Sequence, residues 1–402
     1  MSTDRPDDFD DVPIRRSLPP GGSGDDRLRD DYRDYPPLRP RRKPGFGIWM
    51  AVLWALVYFK VTQIIGAIAL GIPIIIVALM IDAQRNGNGA LNDPSKLNEW
   101  MQGPTGRVAT LTLVTATQFL GLLLSWILLR YWCGREWKRK IALTRLPSAT
   151  HVILVLIGFP ALIALGAAIE IPIQRFVPSL QDVLNALHIN IEFEGADKAL
   201  PKLIGSSPWA LAIFAVAISP GICEEIFCRG FLAWGLAGRY VTWVVILVVS
   251  FLFGCLHGDP QQGVGAMFLG AAIHGAYVAT RSLWVAMFVH FANNGIAVVH
   301  YNDQLMPGVL KPFEIVLDNS PVLFLCSALL LFIAVMYALY QTHCKLVSTE
   351  PGLPAWRPDG VSSQELPPPG SGTIVTRDPI SPVSVALVLT GAVAFGLVMA
   401  FA

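Results

Sequence analysis

The stretch PWALAIFAVAISPGICEEIFCRGFLAWGL, running from Pro208 to Leu236, places Glu224, Glu225 and Arg229 inside an otherwise apolar run. A charge near the centre of a bilayer costs about 2.5–3.5 kcal/mol on insertion scales. Three ionisable groups kept together there must be paired, wetted or used. That the run lies in a membrane follows from the rest of the chain. The 402 residues are 53% hydrophobic and only 15% charged, with a mean hydropathy of +0.52, whereas soluble domains average about 25% charged.

Apolar runs long enough to cross a bilayer, about 20 residues, recur along the sequence. Spans are expected near Phe46–Ile81, Val108–Cys133, Val152–Ile173, Trp209–Trp234, Val241–Leu256, Val264–Val278, Leu283–Val299, Val322–Tyr340 and Val383–Ala402. The fold class expected is all-α, a polytopic transmembrane bundle of about nine spans, within eight to ten. The first run is one tilted helix, or two short ones with a turn near Gly71-Ile72-Pro73.

The net charge of +1 hides its arrangement. Residues 1–44 are rich in Asp, Arg, Pro and Gly and are expected to form a disordered cytoplasmic tail without a cleaved signal peptide. Arg39, Arg41, Arg42 and Lys43 stand directly before the first span, and Arg135, Lys138, Arg139, Lys140 and Arg145 follow the second. The positive-inside rule puts both groups in the cytoplasm, which favours counting Phe46–Ile81 as one crossing. Residues 46–345 form the expected transmembrane domain. Residues 346–382, with Pro367-Pro368-Pro369, read as a Pro-rich cytoplasmic linker before the last span at 383–402. Location in the plasma (inner) membrane is the expectation, with the lipid bilayer as the surroundings and no nucleic-acid partner.

The six cysteines form no Cys-x-x-Cys pair, so neither a disulfide framework nor a thiolate zinc site is expected. Three polar groupings inside spans carry the chemistry. Glu225 and Arg229 are i,i+4 and share a helical face, while Glu224 points about 100° away and is left out of that pair. Ser219-Pro220-Gly221, one turn earlier, loosens the helix by removing a backbone donor. Phe253 and His257 close the fifth span, and His290 and Asn294 share one face of the seventh. A lone His caps helices, and an Asn in a span is often interhelical glue. Gathered on three neighbouring spans, these groups are the ingredients for activating a water and stabilising an oxyanion. His274 has no partner at helical spacing and is expected to be structural.

The pattern Glu-Glu-x-x-x-Arg, Phe-x-x-x-His and His-x-x-x-Asn resembles the CPBP family of intramembrane proteases, relatives of the CaaX prenyl protease of the endoplasmic reticulum. The matching residues are Glu224, Glu225 and Arg229, Phe253 and His257, and His290 and Asn294, with Arg229-Gly230-Phe231-Leu232 and Arg281-Ser282-Leu283-Trp284 as further likeness. The resemblance covers residues 205–300. It implies a glutamate-dependent intramembrane endopeptidase acting on a membrane protein or lipidated peptide. Glu224 would take a proton from water, His257 would position that water, and His290 and Asn294 would donate to the oxyanion. Glu225, Arg229 and Phe253 would support them.

No His-Glu-x-x-His or Gly-x-Gly-Asp occurs, and the rhomboid-like Gly21-Gly22-Ser23-Gly24 lies in the tail. No cofactor is expected. Two carboxylates and two imidazoles also suit zinc or a similar divalent metal, so a metal-dependent protease is one alternative. A non-enzymatic scaffold or proton-coupled transporter is another; no internal repeat of the kind many transporters show is visible. Leu180, Val183, Leu184 and Leu187 argue a short amphipathic helix, a connector or a lid. Counted at 1.5 Å per residue from shared turns, Glu224 lies about 21 Å deep, His257 about 28 Å and His290 about 13 Å. Tilt, or a span that ends early, must bring them level.

Overall fold

A computed structural model describes residues 45–86, 96–190 and 194–401; the tail expected over residues 1–44 lies outside the described residues. Among the described residues, eight helices are long and apolar enough to cross a membrane, with a shorter apolar helix, Thr242–Cys255, in the place of the fifth expected span. In chain order the principal helices are α1 (Ile48–Arg85), α2 (Pro104–Cys133), α3 (Ala149–Phe176), α4 (Trp209–Ala237), α5 (Thr242–Cys255), α6 (Pro260–Thr280), α7 (Leu283–Tyr301), α8 (Pro321–Gln341) and α9 (Pro382–Phe401). The described residues form a polytopic helical bundle, with a single two-stranded sheet outside the spans. Large apolar side chains such as Leu53, Ile76, Phe119, Trp243 and Val322 face outwards, where lipid rather than water is their natural solvent.

Local sequence explains where the helices begin. Pro104, Pro260 and Pro321 occupy first-turn positions, where a missing N–H is no loss. Asp259 caps α6 by accepting from the Gln262 N–H at 3.0 Å, and Ser148 caps α3 by accepting from the His151 N–H at 3.3 Å. The helix α1 is continuous through Gly71-Ile72-Pro73, with two π turns at Lys60–Ile65 and Ala67–Gly71. A proline in a helix removes one hydrogen bond and crowds the carbonyl four residues back; the wide turn just ahead of Pro73 relieves that crowding without breaking the helix.

The end of α5 is decisive for the site. Its 14 residues reach about 21 Å, short of the roughly 30 Å of hydrocarbon. The chain turns at Gly258, whose φ of +76° suits glycine, and Asp259-Pro260 starts α6 at once. His257 therefore sits in a turn inside the bundle. This early end supplies one part of the levelling that the residue count called for.

Two glycines set helix spacing where the functional residues lie. A Cβ on Gly221 of α4 would come within 3.2 Å of the Phe291 nitrogen and 3.3 Å of the Met287 carbonyl oxygen on α7. A Cβ on Gly254 would meet the Gly263 carbonyl oxygen at 2.5 Å. Small residues let membrane helices approach this closely, so α4 packs on α7 and α5 on α6 almost backbone to backbone.

The segment after α8 is folded against the bundle. Strand β1 (Cys344–Ser348) pairs antiparallel with β2 (Thr373–Arg377), Cys344 opposite Arg377. Between them, Ser362 N donates to the Ala237 carbonyl at 3.1 Å and Leu366 N to the Arg139 carbonyl at 3.2 Å. Arg281 donates to the Glu365 carbonyl at 2.7 Å, and Trp234 to the Glu365 carboxylate at 3.0 Å. The Pro-rich residues thus strap the end of the bundle that carries the α2–α3, α4–α5 and α6–α7 turns.

Candidate active site

The helix α4 changes pitch around the acidic pair. An α-helical turn, Ser219–Glu225, lies between π turns at Ile213–Ile218 and Ile226–Leu232. Such π turns cluster at functional sites, and here Pro220 gives a cause: it has no N–H to offer the Val216 carbonyl four residues back. The Asn294 amide supplies the missing donor, its Nδ2 reaching the Val216 oxygen at 2.9 Å. Asn294 therefore gives that carbonyl a donor in place of the one Pro220 lacks, and retains a second amide hydrogen. Its Oδ1 accepts from Asn293 Nδ2 at 3.1 Å.

Glu225 and Arg229 are both fully buried and bonded at 2.7 Å, Arg229 Nη1 to Glu225 Oε1. The same carboxylate oxygen lies 2.8 Å from His290 Nδ1 on α7, a contact made possible by the close approach at Gly221. Arg229 Nη2 donates to the Gly270 carbonyl at 2.9 Å, and its guanidinium lies over the Phe253 ring at 4.6 Å. Phe253 meets the edge of His290 at 5.5 Å and of His257 at 5.0 Å. Four of the expected residues, Glu225, Arg229, Phe253 and His290, thus form one cluster across α4, α5 and α7, tied to α6 through the Gly270 carbonyl. A carboxylate paired with arginine accepts from His290 Nδ1–H, so Nε2 is the ring nitrogen left for other work.

Glu224 turns away from that cluster, as the helical spacing required, and takes a partner on α2. Gln118 Nε2 donates to Glu224 Oε1 at 2.7 Å. The half-buried Glu224 lines a cavity of about 440 Å³ with Tyr58, Gln118, Leu180, His257 and Gln262. His257 Nδ1 donates to the Phe253 carbonyl at 2.9 Å, so in the neutral ring Nε2 is the nitrogen that accepts. His257 and Gln262 also line a neighbouring cavity of about 380 Å³, which contains His290, Asn293 and Asn294. His257 and Gln262 form the wall shared by the two chambers.

Sequence spacing did not find Gln118, Tyr58, Gln262 or Asn293. The signal for Gln118 was an amide in an apolar span, but its partner is 106 positions away. His274 is buried next to Tyr277, their ring centroids 6.0 Å apart, and lines neither of these two chambers. The amphipathic helix spans Leu180–Ala186 with a Ser179/Asp182 capping box, and the Leu180 N–H is tied to Asp259 Oδ2 at 3.3 Å. Among the described residues, no three His, Cys, Asp or Glu side chains are gathered as a metal-ligating group.

Residues 206–296, about a quarter of the chain, match the family model described as Rce1-like, type II CAAX prenyl endopeptidase. No curated protein and no solved structure matches the chain. The matched segment contains α4 to α7 up to Ile296 and with them Glu224, Glu225, Arg229, His257, His290 and Asn294. The likeness to the CPBP family read from the motifs and the match to the family model agree, and the protein is an integral membrane peptidase carrying an Rce1-like type II CAAX prenyl endopeptidase domain.

Proposed function

We propose that the protein hydrolyses peptide bonds of membrane-associated polypeptides with a water activated by Glu224. The observation that carries this reading is the shared wall: Glu224 and His257 line one polar chamber, and His257, His290 and Asn294 line the next. A water between Glu224 and His257 Nε2 gives its proton to the carboxylate, and the resulting hydroxide adds to the scissile carbonyl. Glu224 then returns the proton to the departing amine. General acid–base assistance of this kind contributes about 10²–10⁴-fold. Gln118 orients the carboxylate by bonding one of its oxygens.

The oxyanion that develops needs donors in a dry site. His290 serves as one of them, its Nδ1 held by Glu225 and its Nε2 aimed at the substrate, and Arg229 sets positive charge behind it against the new negative charge. Asn294 adds its second amide hydrogen. Losing one oxyanion donor commonly costs about 2.7–4 kcal/mol of transition-state stabilisation. Glu225 and Arg229 hold His290 in place and touch no substrate.

The reading uses no metal, since Arg229 supplies positive charge where a cation bound by Glu225 would sit. It takes the strapped end of the bundle as cytoplasmic, with residues 1–44 a cytoplasmic tail and the bundle in the plasma (inner) membrane. The substrate class is a membrane protein or lipidated peptide. Membrane peptides from cells making the wild-type protein or Glu224→Ala test it: new termini present only with the wild type are expected. Identical peptide sets from both strains would refute the reading.

A further inference from the structure

The two chambers open at one end of the bundle. Their walls include Gln174 at the end of α3, Leu200 in the following connection, Tyr301 at the end of α7 and Leu180. All of these lie away from the strap. The other end is sealed. Ile141, Phe227, Phe231, Leu236 and Leu283 have no exposed surface, and the Leu283 N–H is bonded to the Ala142 carbonyl at 3.2 Å. Over them lies the strap, with Leu366 buried in the same apolar cluster. A polypeptide cannot reach Glu224 or His290 from that side without unpacking the core.

The sealed end is also the basic end. Arg135, Lys138, Arg139, Lys140 and Arg145 stand in its short α2–α3 connection. Lysine and arginine in short loops mark the cytoplasmic side. Together, a sealed basic end and an open opposite end assign the side from which substrate enters.

We propose that the catalytic chambers open on the non-cytoplasmic face, so the substrates are membrane-anchored polypeptides whose scissile bond is presented from that side. This rests on the peptidase reading above and sharpens its substrate class. A lipidated cysteine near a cytoplasmic C-terminus, the product of prenylation, would meet the sealed end.

Two variants with one added cysteine each test the orientation, with the exposed Cys255 and Cys326 replaced by serine and the buried Cys133, Cys223, Cys228 and Cys344 retained. Glu136, 55% exposed, marks the sealed end, and Glu314, 56% exposed, marks the open one. In intact cells a membrane-impermeant maleimide is expected to label Glu314→Cys, and to label Glu136→Cys only after permeabilisation. Labelling of Glu136→Cys in intact cells, or a need for permeabilisation at Glu314→Cys, overturns the proposal. In the same cells, termini lost with Glu224→Ala are expected at the non-cytoplasmic ends of spans; clustering at cytoplasmic ends also overturns it. The two readings fail separately. A reversed label pattern with Glu224-dependent cleavage removes only the orientation, and the expected label pattern with cleavage indifferent to Glu224→Ala removes only the peptidase mechanism.

Discussion

Replacing Glu225 by alanine leaves Arg229 as a fully buried cation. What remains to hold it is one carbonyl bond, to Gly270 at 2.9 Å, and the face of Phe253 at 4.6 Å. Breaking a buried ion pair from one side costs about 3–5 kcal/mol. Glu225→Ala and Arg229→Leu are each expected to lose that much, which multiplies the unfolded fraction by about 10² to 10³·⁵ at 1.4 kcal/mol per tenfold. The double variant Glu225→Met/Arg229→Leu removes both charges and refills the volume. It leaves His290 Nδ1 without its acceptor, at about 1–3 kcal/mol for an unsatisfied buried donor, and the Gly270 carbonyl without Arg229. The double variant should therefore be more stable than either single one. Unfolding in mixed micelles, followed by helical circular dichroism across a denaturing-detergent titration, reads all three. Losses that simply add across the double variant would show that the two charges do not compensate each other, and the account of the cluster would fail.

Gln118→Leu removes the donor that holds Glu224 and is expected to lower turnover about 10- to 150-fold, the equivalent of a hydrogen bond to a charged group at 1.5–3 kcal/mol, with little change in KM or melting. Steady-state kinetics on a reconstituted reporter would expose the opposite pattern, a raised KM at unchanged turnover. Gly221→Val wedges α4 from α7, whose backbone lies 3.2 Å from the position of its Cβ. Overpacking of this kind costs about 1–3 kcal/mol, and turnover should fall with the loss of the 2.8 Å Glu225–His290 contact; a melting curve and rate like those of the wild type would contradict it. The Asp378 carboxyl on the strap is held below the usual carboxylate range by its bond to the Lys345 ammonium. A depressed folded value means that the pair's contribution is complete above the unfolded value, about 3.9, and is lost as pH falls through the lower folded one. Limited proteolysis should show the β1–β2 strap loosening below about pH 4, and Asp378→Asn should remove that dependence.

How far the sequence could be read depended on the range of each interaction. The Glu225–Arg229 pair was legible because i,i+4 spacing alone brings the side chains together, and the same geometry left Glu224 free. The bundle was legible from hydropathy. Partners on other helices were not: Gln118 on Glu224, Val216 on Asn294 and Glu225 on His290 follow from packing that no periodicity encodes. The end of α5 was legible too: the expected span stopped at Leu256, and Gly258-Asp259-Pro260 is a left-handed turn, an N-cap and a first-turn proline in succession. The strap was read from its prolines as a linker, while the β-branched Thr373-Ile374-Val375-Thr376 signalled a strand. Its partner, Cys344–Ser348, lies beyond the whole proline-rich run.

The claim on which the account rests is that Glu224 moves the proton of the attacking water. Its most direct measurement is the turnover of Glu224→Gln beside wild type, reconstituted with a single-span reporter carrying a cleavage site taken from the cellular peptide comparison, with EDTA present and absent. Glutamine keeps the shape and the neighbours but cannot accept the proton. The account predicts a fall of at least about 10²-fold, an unchanged melting midpoint and no effect of chelator on the wild type. Cleavage by Glu224→Gln at the wild-type rate would contradict it.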